Sequence, residues 1–539
     1  MTEKKEKKKS VTSETIDAAR VAGQMFEDGD RTYVRFRMVD HYEVWPLQSV
    51  EARTWLAGVA HGVADAWVTA STLKGIADLL DGLVRVEGNK TPVHIRVARK
   101  GDAVYLDLGT DDWTCVKVTA DGWEIIPHPE GGPYFYRPKR LQPLPTPKSG
   151  GHLEELLAPY IHVSETDMRL VVACMVDALK GREPYVVLAF IGGAGSSKSS
   201  AAKAYISAFD PSRSRSRTGD NAGAPTSLKM RPRTERDFPP MVGHSHVLGL
   251  DNLSFIEDWL SDALCVVATG GDVAERALYL NFEEASISVA SPVVLNGIES
   301  LVTRGDLTQR TIRLDVLPMA DEDRLEEVEL WGRFQTDHPA ILGSLLDTLS
   351  VAMREHPAVT LERLPRMADF ARWGVAVERA LGWPEGSFMK TYEANQENAV
   401  AEMLSGDSFT NVLIAFIRDE NSPKREWTGT ASELLGALQF VAGQLDVQRG
   451  KDWPTTPRAV TGRLQRLEAA LPQFGMKVTW TPPNRNSIRT MTITDVRVAA
   501  ASSSDLPHNQ PTHHEALDVI AGRAREYGRP AEADPVSFE

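Results

Sequence analysis

Cysteine and long apolar runs are scarce in this sequence. Its three cysteines, Cys115, Cys174 and Cys265, lie far apart among 539 residues, which excludes a disulfide framework and a cysteine-based zinc site. No stretch approaches the roughly 20 consecutive apolar residues that a transmembrane helix requires. The lysine-rich start MTEKKEKKKS is not followed by an apolar run, so it does not have the pattern of a secretory signal. We therefore expect a cytoplasmic protein with no membrane partner.

Basic residues are in the minority. The chain has 60 Lys and Arg residues against 74 Asp and Glu residues, a formal net charge of −14. This balance argues against a protein that coats nucleic acid over its whole surface. It leaves a local basic channel possible, because the field depends on where the charges lie rather than on their sum.

The sequence pattern changes several times along the chain. Period-two alternation in RTYVRFRM and AVYLDLG predicts half-buried strands, whereas YVVLAFI and SPVVLNG predict fully buried ones, and RPKRLQPLPTPKSGG (137–151) has the composition of a linker. We predict six regions: a disordered basic tail (1–13), an α+β domain (14–145), an α/β core with a largely parallel sheet (152–320), a helical region (321–405), a C-terminal module (406–497) and a flexible tail (498–539).

A glycine-rich loop follows the buried strand YVVLAFI and precedes a helix, which is the context of a P-loop. Backbone N–H groups would wrap the phosphates of ATP, Lys198 would reach the β- and γ-phosphates, and Ser199 would hold Mg²⁺. Ser197 stands where the pattern has glycine, which favours weaker binding, and the alternative is a Gly/Ser turn that contains a lysine. The predicted nucleotide contacts are Gly192, Gly193, Ala194, Gly195, Ser196, Ser197, Lys198, Ser199 and Ser200.

Asp251 ends the apolar strand HVLGLD. A carboxylate at the end of a neighbouring strand is where a Walker B group meets Mg²⁺, so we predict Asp251 as a metal ligand beside Ser199. The alternative is an aspartate that caps a helix. Asn252 follows where many such ATPases carry a glutamate that activates water. The sequence leaves open whether Asn252 means slow hydrolysis or whether Asp251, Glu257 or Asp258 polarises the water.

Two further elements could act on the γ-phosphate. Asn296 ends the strand SPVVLNG, where an amide can orient the attacking water, the sensor-1 role. Arg310, and as second choice Arg304, could be delivered by a subunit interface onto a neighbour's γ-phosphate, where an arginine stabilises transition-state charge. The alternative for these arginines is a surface ion pair with Asp306 or Asp315.

These motifs resemble the superfamily-3-like AAA+ ATPases of phages and integrated elements, the helicase part of helicase–primase proteins. The resemblance covers about residues 150–495 through GGAGSSKSS, LDNLSFIEDWLSDALCVVATGG, SPVVLNGIESLVTRGDLTQRTIRL, LPRMADFARWG and WPTTPRAVTGRLQRLEAALPQFGMKV. It implies an α/β P-loop NTPase fold with a helical lid. It also implies homo-oligomeric rings of six subunits in a bacterial host. Such rings hydrolyse ATP at subunit interfaces and translocate on single-stranded or forked DNA.

The resemblance adds two candidate elements. A β-hairpin in RALYLNFEEASISV (276–289) would grip DNA in the ring channel through Arg276 and Phe282, although its tip carries Glu283 and Glu284, which repel phosphate. The alternative is an ordinary surface hairpin. Arg366 in the lid could fold over the nucleotide in a sensor-2-like role, or pair with Asp369.

Two helical patterns and a strand pair in residues 406–497 together describe a winged helix, with Thr430 and Thr456 as helix caps. Arginines on its second helix and wing suit phosphate and groove contact. Winged helices also dock proteins, and the basic insert SRSRSR (212–217) is a second candidate DNA surface. The predicted DNA contacts of the winged helix are Arg458, Arg463, Arg466, Arg485 and Arg489.

The sequence thus predicts an ATP-dependent DNA helicase or translocase in the replication of a phage or mobile element, with ATP and Mg²⁺ as cofactors. An alternative is a nucleotide-gated DNA-binding or loader ATPase that recruits replication proteins such as a polymerase without unwinding. A further alternative is an ATPase of an anti-phage defence system.

Overall fold

The computed structural model describes most of the chain between residues 10 and 496. The predicted basic tail lies mostly, and the predicted flexible tail (498–539) wholly, outside the described residues. The chain divides into two units, Met1–Asn411 and Val412–Glu539. The described residues are 10–65, 67–129, 131–193, 195–213, 228–271, 290–298, 301–302, 304–320, 322, 324–405, 408–418, 425–445, 447, 453–468, 471–482 and 489–496.

The first unit begins with a three-stranded antiparallel sheet and three helices. A serine or threonine hydroxyl caps the first turn of each helix and accepts a backbone N–H bond there. Apolar side chains of the helices pack against one face of the central strand. The elements are α1 (Val11–Ala22), β1 (Gly23–Asp28), β2 (Arg31–Arg37), β3 (Tyr42–Pro46), α2 (Val50–Ala64) and α3 (Ala70–Glu87).

Strand β2 is buried on both faces, whereas its alternating sequence predicts one solvent-exposed face. Residues 32–36 are all buried. Val34 and Phe36 face the helices, and Tyr33 faces Tyr134 of a later segment. Arg35 lies on the same side as Tyr33, with its guanidinium carbon 3.7 Å from the ring centre of Tyr42. The polar positions of β2 are therefore covered by other parts of the chain rather than by water.

A second antiparallel sheet follows in the order β5-β6-β7-β8, and β4 pairs in parallel with β9. Strands β7 and β8 form a hairpin whose turn is Ala120 and Asp121, since Thr119 lies opposite Gly122 in the register. The strands are β4 (Val93–His94), β5 (Val97–Lys100), β6 (Ala103–Asp107), β7 (Thr114–Thr119), β8 (Gly122–Pro127) and β9 (Tyr134–Phe135).

The predicted parallel sheet is confirmed. Its strands lie in the order β11-β12-β13-β10-β14, and every neighbouring pair is parallel. All five residues of β10 are buried, as an apolar run between two helical layers should be. The carboxyl ends of the strands meet at one edge of the sheet. The strands are β10 (Val187–Ile191), β11 (Leu228–Met230), β12 (Leu248–Leu253), β13 (Val293–Gly297) and β14 (Thr311–Asp315).

Helices cover both faces of the parallel sheet. Leu188 and Phe190 belong to the apolar cluster of α5, α6, α9 and α10, whereas Val187, Ala189 and Ile191 belong to the cluster of α7. This alternation follows from the two-residue period of a strand. The helices are α4 (Leu153–Leu157), α5 (Glu165–Leu179), α6 (Lys198–Ser207), α7 (Asp258–Thr269), α8 (Gly305–Thr308), α9 (Glu327–Glu355), α10 (Ala368–Leu381) and α11 (Ser387–Ser405).

The segment 137–151, which has a linker composition, is packed against the rest of the unit. The Arg137 guanidinium donates to both carboxylate oxygens of Asp107 at 2.9 and 2.6 Å. Leu144 is buried, and the Lys148 N–H donates to the Pro339 carbonyl at 2.8 Å. Strands β5–β7 contribute to the same apolar cluster as α5 and α9. The β5-β6-β7-β8 sheet and the parallel sheet therefore share one core.

The second unit contains a three-stranded antiparallel sheet in the order β15-β17-β16. The predicted caps are confirmed: the Thr430 and Thr456 hydroxyls accept the N–H groups of Glu433 and Ala459. The predicted strand pair near the end is confirmed, and the sequence analysis missed β15. The elements are α12 (Ser408–Ile417), which crosses the unit boundary, β15 (Glu426–Thr430), α13 (Ala431–Gln444), α14 (Pro457–Leu467), β16 (Met476–Trp480) and β17 (Thr490–Asp495).

None of the helices in the described part of the chain has the length and apolarity that spanning a bilayer requires.

Candidate active site

The glycine-rich loop joins β10 to α6 through two left-handed backbone positions. Gly195 has φ +78° and Ser197 has φ +58°. A residue with a Cβ in this region costs about 1–2 kcal/mol, so the backbone conformation itself explains why glycine suits position 197. A side chain at Gly192 would be crowded, because a Cβ there would lie 2.7 Å from the Ser196 hydroxyl and 3.2 Å from the Val316 carbonyl.

Two side chains of the loop hydrogen-bond to the same carbonyl. The Ser196 hydroxyl donates to the Gly193 oxygen at 2.9 Å, and the Lys198 ammonium donates to that oxygen at 2.6 Å. Lys198 begins α6, so its ammonium lies across the mouth of the loop at the positive end of the helix. An anionic oxygen is a stronger acceptor than a carbonyl, so a phosphate in the loop would compete well for this lysine.

Ser199, Asp251 and Asn296 meet at the carboxyl edge of the parallel sheet. The Ser199 hydroxyl donates to Asp251 Oδ1 at 3.0 Å. The Asn296 amide donates to Asp251 Oδ1 at 2.6 Å and to Ser199 Oγ at 3.1 Å. Three positions that are widely separated in sequence thus form one hydrogen-bonded cluster beside the glycine-rich loop.

The end of β12 is distorted in a way that supports this cluster. The register between β12 and β13 shifts between Leu250 and Leu253, and Asn252 adopts φ +52°. The Asn252 N–H donates to Asn296 Oδ1 at 2.8 Å, so both ends of the Asn296 amide are bonded. At Gly297 a Cβ would lie 2.3 Å from the Leu253 carbonyl, so the strands approach closely enough only with glycine there. The Asn252 side chain is exposed.

The other carboxylates considered for water activation have partners of their own. Glu257 forms an ion pair with Arg231 at 3.3 Å. The Asp258 side chain is 90% exposed and lies 3.9 Å from Arg304. In the described contacts, Asp251 is the carboxylate that bonds to Ser199.

The three arginines predicted to act on phosphate bind acidic groups of their own chain. Arg310 pairs with Asp306, the contact given as the alternative to a role on a neighbour's phosphate. Arg366 reaches the same carboxylate at 3.1 Å rather than pairing with Asp369. Arg304 binds Asp262 at 3.1 Å. The hydrogen bond from Arg310 holds the pKa of the Asp306 carboxyl below its ordinary value, and the charge of Arg366 adds to this.

The predicted DNA contacts are described only in part. Arg458 and Arg463 lie on α14, Arg458 being exposed, and Arg489 is exposed just before β17. Arg466 lies on α14, and only its position there is described. Ala194, Arg276, Phe282 and Arg485 lie outside the described residues, as does most of the basic insert.

Arg324 is a neighbour of the loop that the sequence analysis missed. Its Nη2 atom lies 3.9 Å from the place where a Cβ on Gly195 would stand. It follows β14 in the stretch DEDRLEE, which contains no recognisable motif. Only the packing of this stretch against the loop could reveal it.

Similarity to solved structures is broad in coverage and low in identity. The helicase described as "SCCmec type IV Cch - active helicase" matches with a TM-score of 0.43 and 11% identity, over 89% of this chain and 94% of that one. The apo C-terminal region of NrS-1 matches with a TM-score of 0.37 and 11% identity, over 90% and 99%. The Orc1 protein of Aeropyrum pernix in complex with DNA matches with a TM-score of 0.18 and 12% identity, over 65% and 95%.

No curated protein matches the chain. Two family models do. The model of the actinomycete integrative conjugative element replication protein matches residues 156–398, and that of the RepA C-terminal domain from the same elements matches residues 409–507. The first covers the parallel sheet with the Ser199–Asp251–Asn296 cluster, and the second covers the arginines on α14 and at β17. Together they span more than half of the chain and identify it as a replication protein of the kind carried by actinomycete integrative conjugative elements.

Proposed function

We propose that this replication protein is itself an ATP-dependent DNA helicase or translocase, which binds MgATP at residues 192–199. The observation that carries the proposal is the cluster in which Ser199, Asp251 and Asn296 are hydrogen-bonded beside a glycine-rich loop. P-loop ATPases hold Mg²⁺ between a carboxylate at the end of a strand, here Asp251, and a serine or threonine in the first turn of the helix after the loop, here Ser199.

The hydrogen bonds at Ser199 suit a metal ligand. A serine hydroxyl has one proton and two lone pairs. The proton goes to Asp251, and one lone pair accepts from Asn296, which leaves a second lone pair for Mg²⁺. Mg²⁺ prefers oxygen ligands and typically uses one or two protein groups together with the phosphates. Ser199 and Asp251 would hold the metal, which would neutralise charge on the terminal phosphates.

The loop itself suits phosphate. The left-handed positions Gly195 and Ser197 are typical of a loop that turns successive N–H groups toward an anion. Lys198 would exchange the Gly193 carbonyl for a phosphate oxygen, and the N-terminus of α6 adds positive potential. Residue 252 is an asparagine, whose amide cannot act as the base that activates the attacking water. Slow ATP hydrolysis is therefore expected unless Asp251 polarises the water.

Assembly into a ring, which the resemblance predicts to be a hexamer, would bring arginines of a neighbouring subunit to the site. Arg310 and Arg304 would then have to leave Asp306 and Asp262 to reach a neighbour's γ-phosphate. Such an exchange is favourable because a polyphosphate carries more charge than one carboxylate. We therefore place these two residues at the interface between subunits.

DNA contact is assigned to the second unit. Its order of helix, strand, two helices and two antiparallel strands, with β15 as the third strand of the sheet, supports the proposal of a winged helix. Arg458 on α14 and Arg489 at β17 are exposed and suit phosphate contact. The Arg276–Phe282 hairpin remains a second prediction.

The proposal is tested with the full-length chain by measuring ATP turnover with and without DNA, and strand displacement on a forked duplex. We expect DNA-stimulated turnover and unwinding, both abolished by Lys198→Ala and by Asp251→Asn and unchanged by Lys390→Ala, an exposed residue of α11. Asp251→Asn should also raise the Mg²⁺ concentration needed for nucleotide binding. Absence of turnover and unwinding in a fully assembled wild-type sample would discard the helicase proposal.

A nucleotide-gated binding protein is the second candidate. Asn252 in place of a base, and the pairing of Arg310 and Arg304 with their own chain, favour slow turnover. ATP-dependent assembly on DNA with negligible hydrolysis, and recruitment of replication proteins, would support it. A role in anti-phage defence has no support from the family matches, which describe replication.

A further inference from the structure

We propose that Arg324 binds the terminal phosphates of the nucleotide held by its own chain. This inference rests on the proposed nucleotide site. A Cβ placed on Gly195 would lie 3.9 Å from Nη2 of Arg324. In the described part of the chain, this is the heavy atom found within 4 Å of that position, apart from those of the neighbouring residues. The guanidinium therefore lies beside the loop, at its left-handed glycine.

Three contacts anchor the segment that carries Arg324 to elements around the loop. The Val316 N–H donates to the Ile191 carbonyl at 2.8 Å, where β10 gives way to the loop. The Leu317 N–H donates to the His162 carbonyl at 2.8 Å. At the other end of the segment, Lys203 of α6 pairs with Glu327 at 3.6 Å. Arg324 thus lies between two anchors, one before the loop and one on the helix after it.

The charge of a bound triphosphate calls for a second cation at this place. Lys198 supplies a single positive charge as a point donor, whereas a guanidinium offers several donors in a plane that fits two phosphate oxygens at once. Arg324 follows β14 on the same chain and approaches from the side of Gly195, so it needs no subunit interface. Arg304 is bonded to Asp262, and Arg310 and Arg366 are bonded to Asp306.

The test measures binding of a fluorescent AMP-PNP to full-length protein, at concentrations both below and above those at which the chain assembles. We expect Arg324→Ala to weaken binding roughly 10-fold or more, as loss of a charge-assisted contact predicts, in both regimes. Arg324→Lys should recover part of the affinity. Arg363→Ala, which removes the same charge from an exposed position between α9 and α10, should bind as wild type. The thermal unfolding midpoint of nucleotide-free protein should be equal in all variants.

The outcomes separate this inference from the proposed function. If wild type binds, Lys198→Ala does not, and Arg324→Ala binds as wild type, the role of Arg324 is overturned and the nucleotide site stands. If Arg324→Ala weakens binding only while lowering the unfolding midpoint, with no recovery in Arg324→Lys, its role is structural and the inference falls. If wild type binds no better than Lys198→Ala, both the nucleotide site and the inference fail.

Discussion

The Asn296 amide donates to Asp251 Oδ1 at 2.6 Å while its oxygen accepts the Asn252 N–H at 2.8 Å. The side chain is 1% exposed, and its second amide contact goes to Ser199. Asn296 therefore fixes the positions of both proposed metal ligands. To donate a hydrogen bond to a water, it would have to release Asp251 or Ser199 when nucleotide binds, because both amide protons are in use.

The first prediction concerns this amide. Asn296→Ala should lower ATP turnover about 100-fold while changing AMP-PNP affinity less than about 3-fold, because the amide positions groups rather than binding phosphate. Steady-state turnover and equilibrium binding measure the two effects. Asn252→Gly is the matched control, since it keeps the backbone N–H and tolerates φ +52°. Equal losses of turnover in both variants would contradict the special role of the amide.

The second prediction concerns the loop backbone. Ser197→Gly should raise the free energy of unfolding by about 1 kcal/mol, because it removes the Cβ from a residue that is held in the left-handed conformation. Affinity for AMP-PNP should rise as well. Ser196→Gly provides the contrast: it removes the hydrogen bond to Gly193 and should weaken both properties. A loss of affinity in Ser197→Gly would show that its hydroxyl, rather than its backbone, matters.

The third prediction concerns the junction between the β5-β6-β7-β8 sheet and the parallel sheet. Arg96 is fully buried, donates to the Asp107 and Gln142 carbonyls and pairs with Asp210 at 3.4 Å. Arg96→Met leaves Asp210 as an uncompensated buried carboxylate, so we expect a loss of about 3–5 kcal/mol in the free energy of unfolding.

The control for this prediction is Arg20→Met. Arg20 pairs with Glu87 at the surface, where an ion pair contributes about 1 kcal/mol or less. Chemical denaturation of both variants compares the two pairs. A loss in Arg96→Met no larger than that in Arg20→Met would mean that the antiparallel sheet folds independently of the parallel one.

The fourth prediction concerns DNA. The double variant Arg458→Ala, Arg489→Ala should bind DNA about 10-fold more weakly at 0.1 M salt and show a shallower salt dependence, because phosphate contacts release counterions. Fluorescence anisotropy across a salt series measures both quantities. Arg363→Ala, with one exposed arginine removed elsewhere, should retain the wild-type slope. An unchanged slope in the double variant would favour a protein-docking role for the second unit.

Local patterns were enough to find the centre of the candidate site. The apolar runs YVVLAFI and SPVVLNG predicted strands that are observed, and the glycine-rich loop predicted the turn between β10 and α6. Asp251 was expected beside Ser199 and Asn296 near the γ-phosphate, and all three are hydrogen-bonded at the edge where the parallel strands end. The strand β15 was missed because EWTGT is short and its pairing partner, β17, lies some sixty residues away.

Composition and alternation did not predict burial where it depends on segments distant in sequence. Segment 137–151 has the proline and glycine content of a linker, yet Arg137 is buried against Asp107 because strands distant in sequence cover it. The alternation in β2 predicted one solvent-exposed face, but Tyr134 packs against that face.

By itself the sequence determined the buried strands, the capped helices and the glycine-rich loop, because these depend on side-chain periodicity and backbone preferences within a few residues. Only the tertiary structure decided that Arg310 and Arg366 share Asp306, that Gly297 lets β13 approach β12, and that Arg324 lies beside Gly195. Each of these contacts joins residues brought together by the folding of separate elements, and side-chain chemistry alone does not specify which partners will meet.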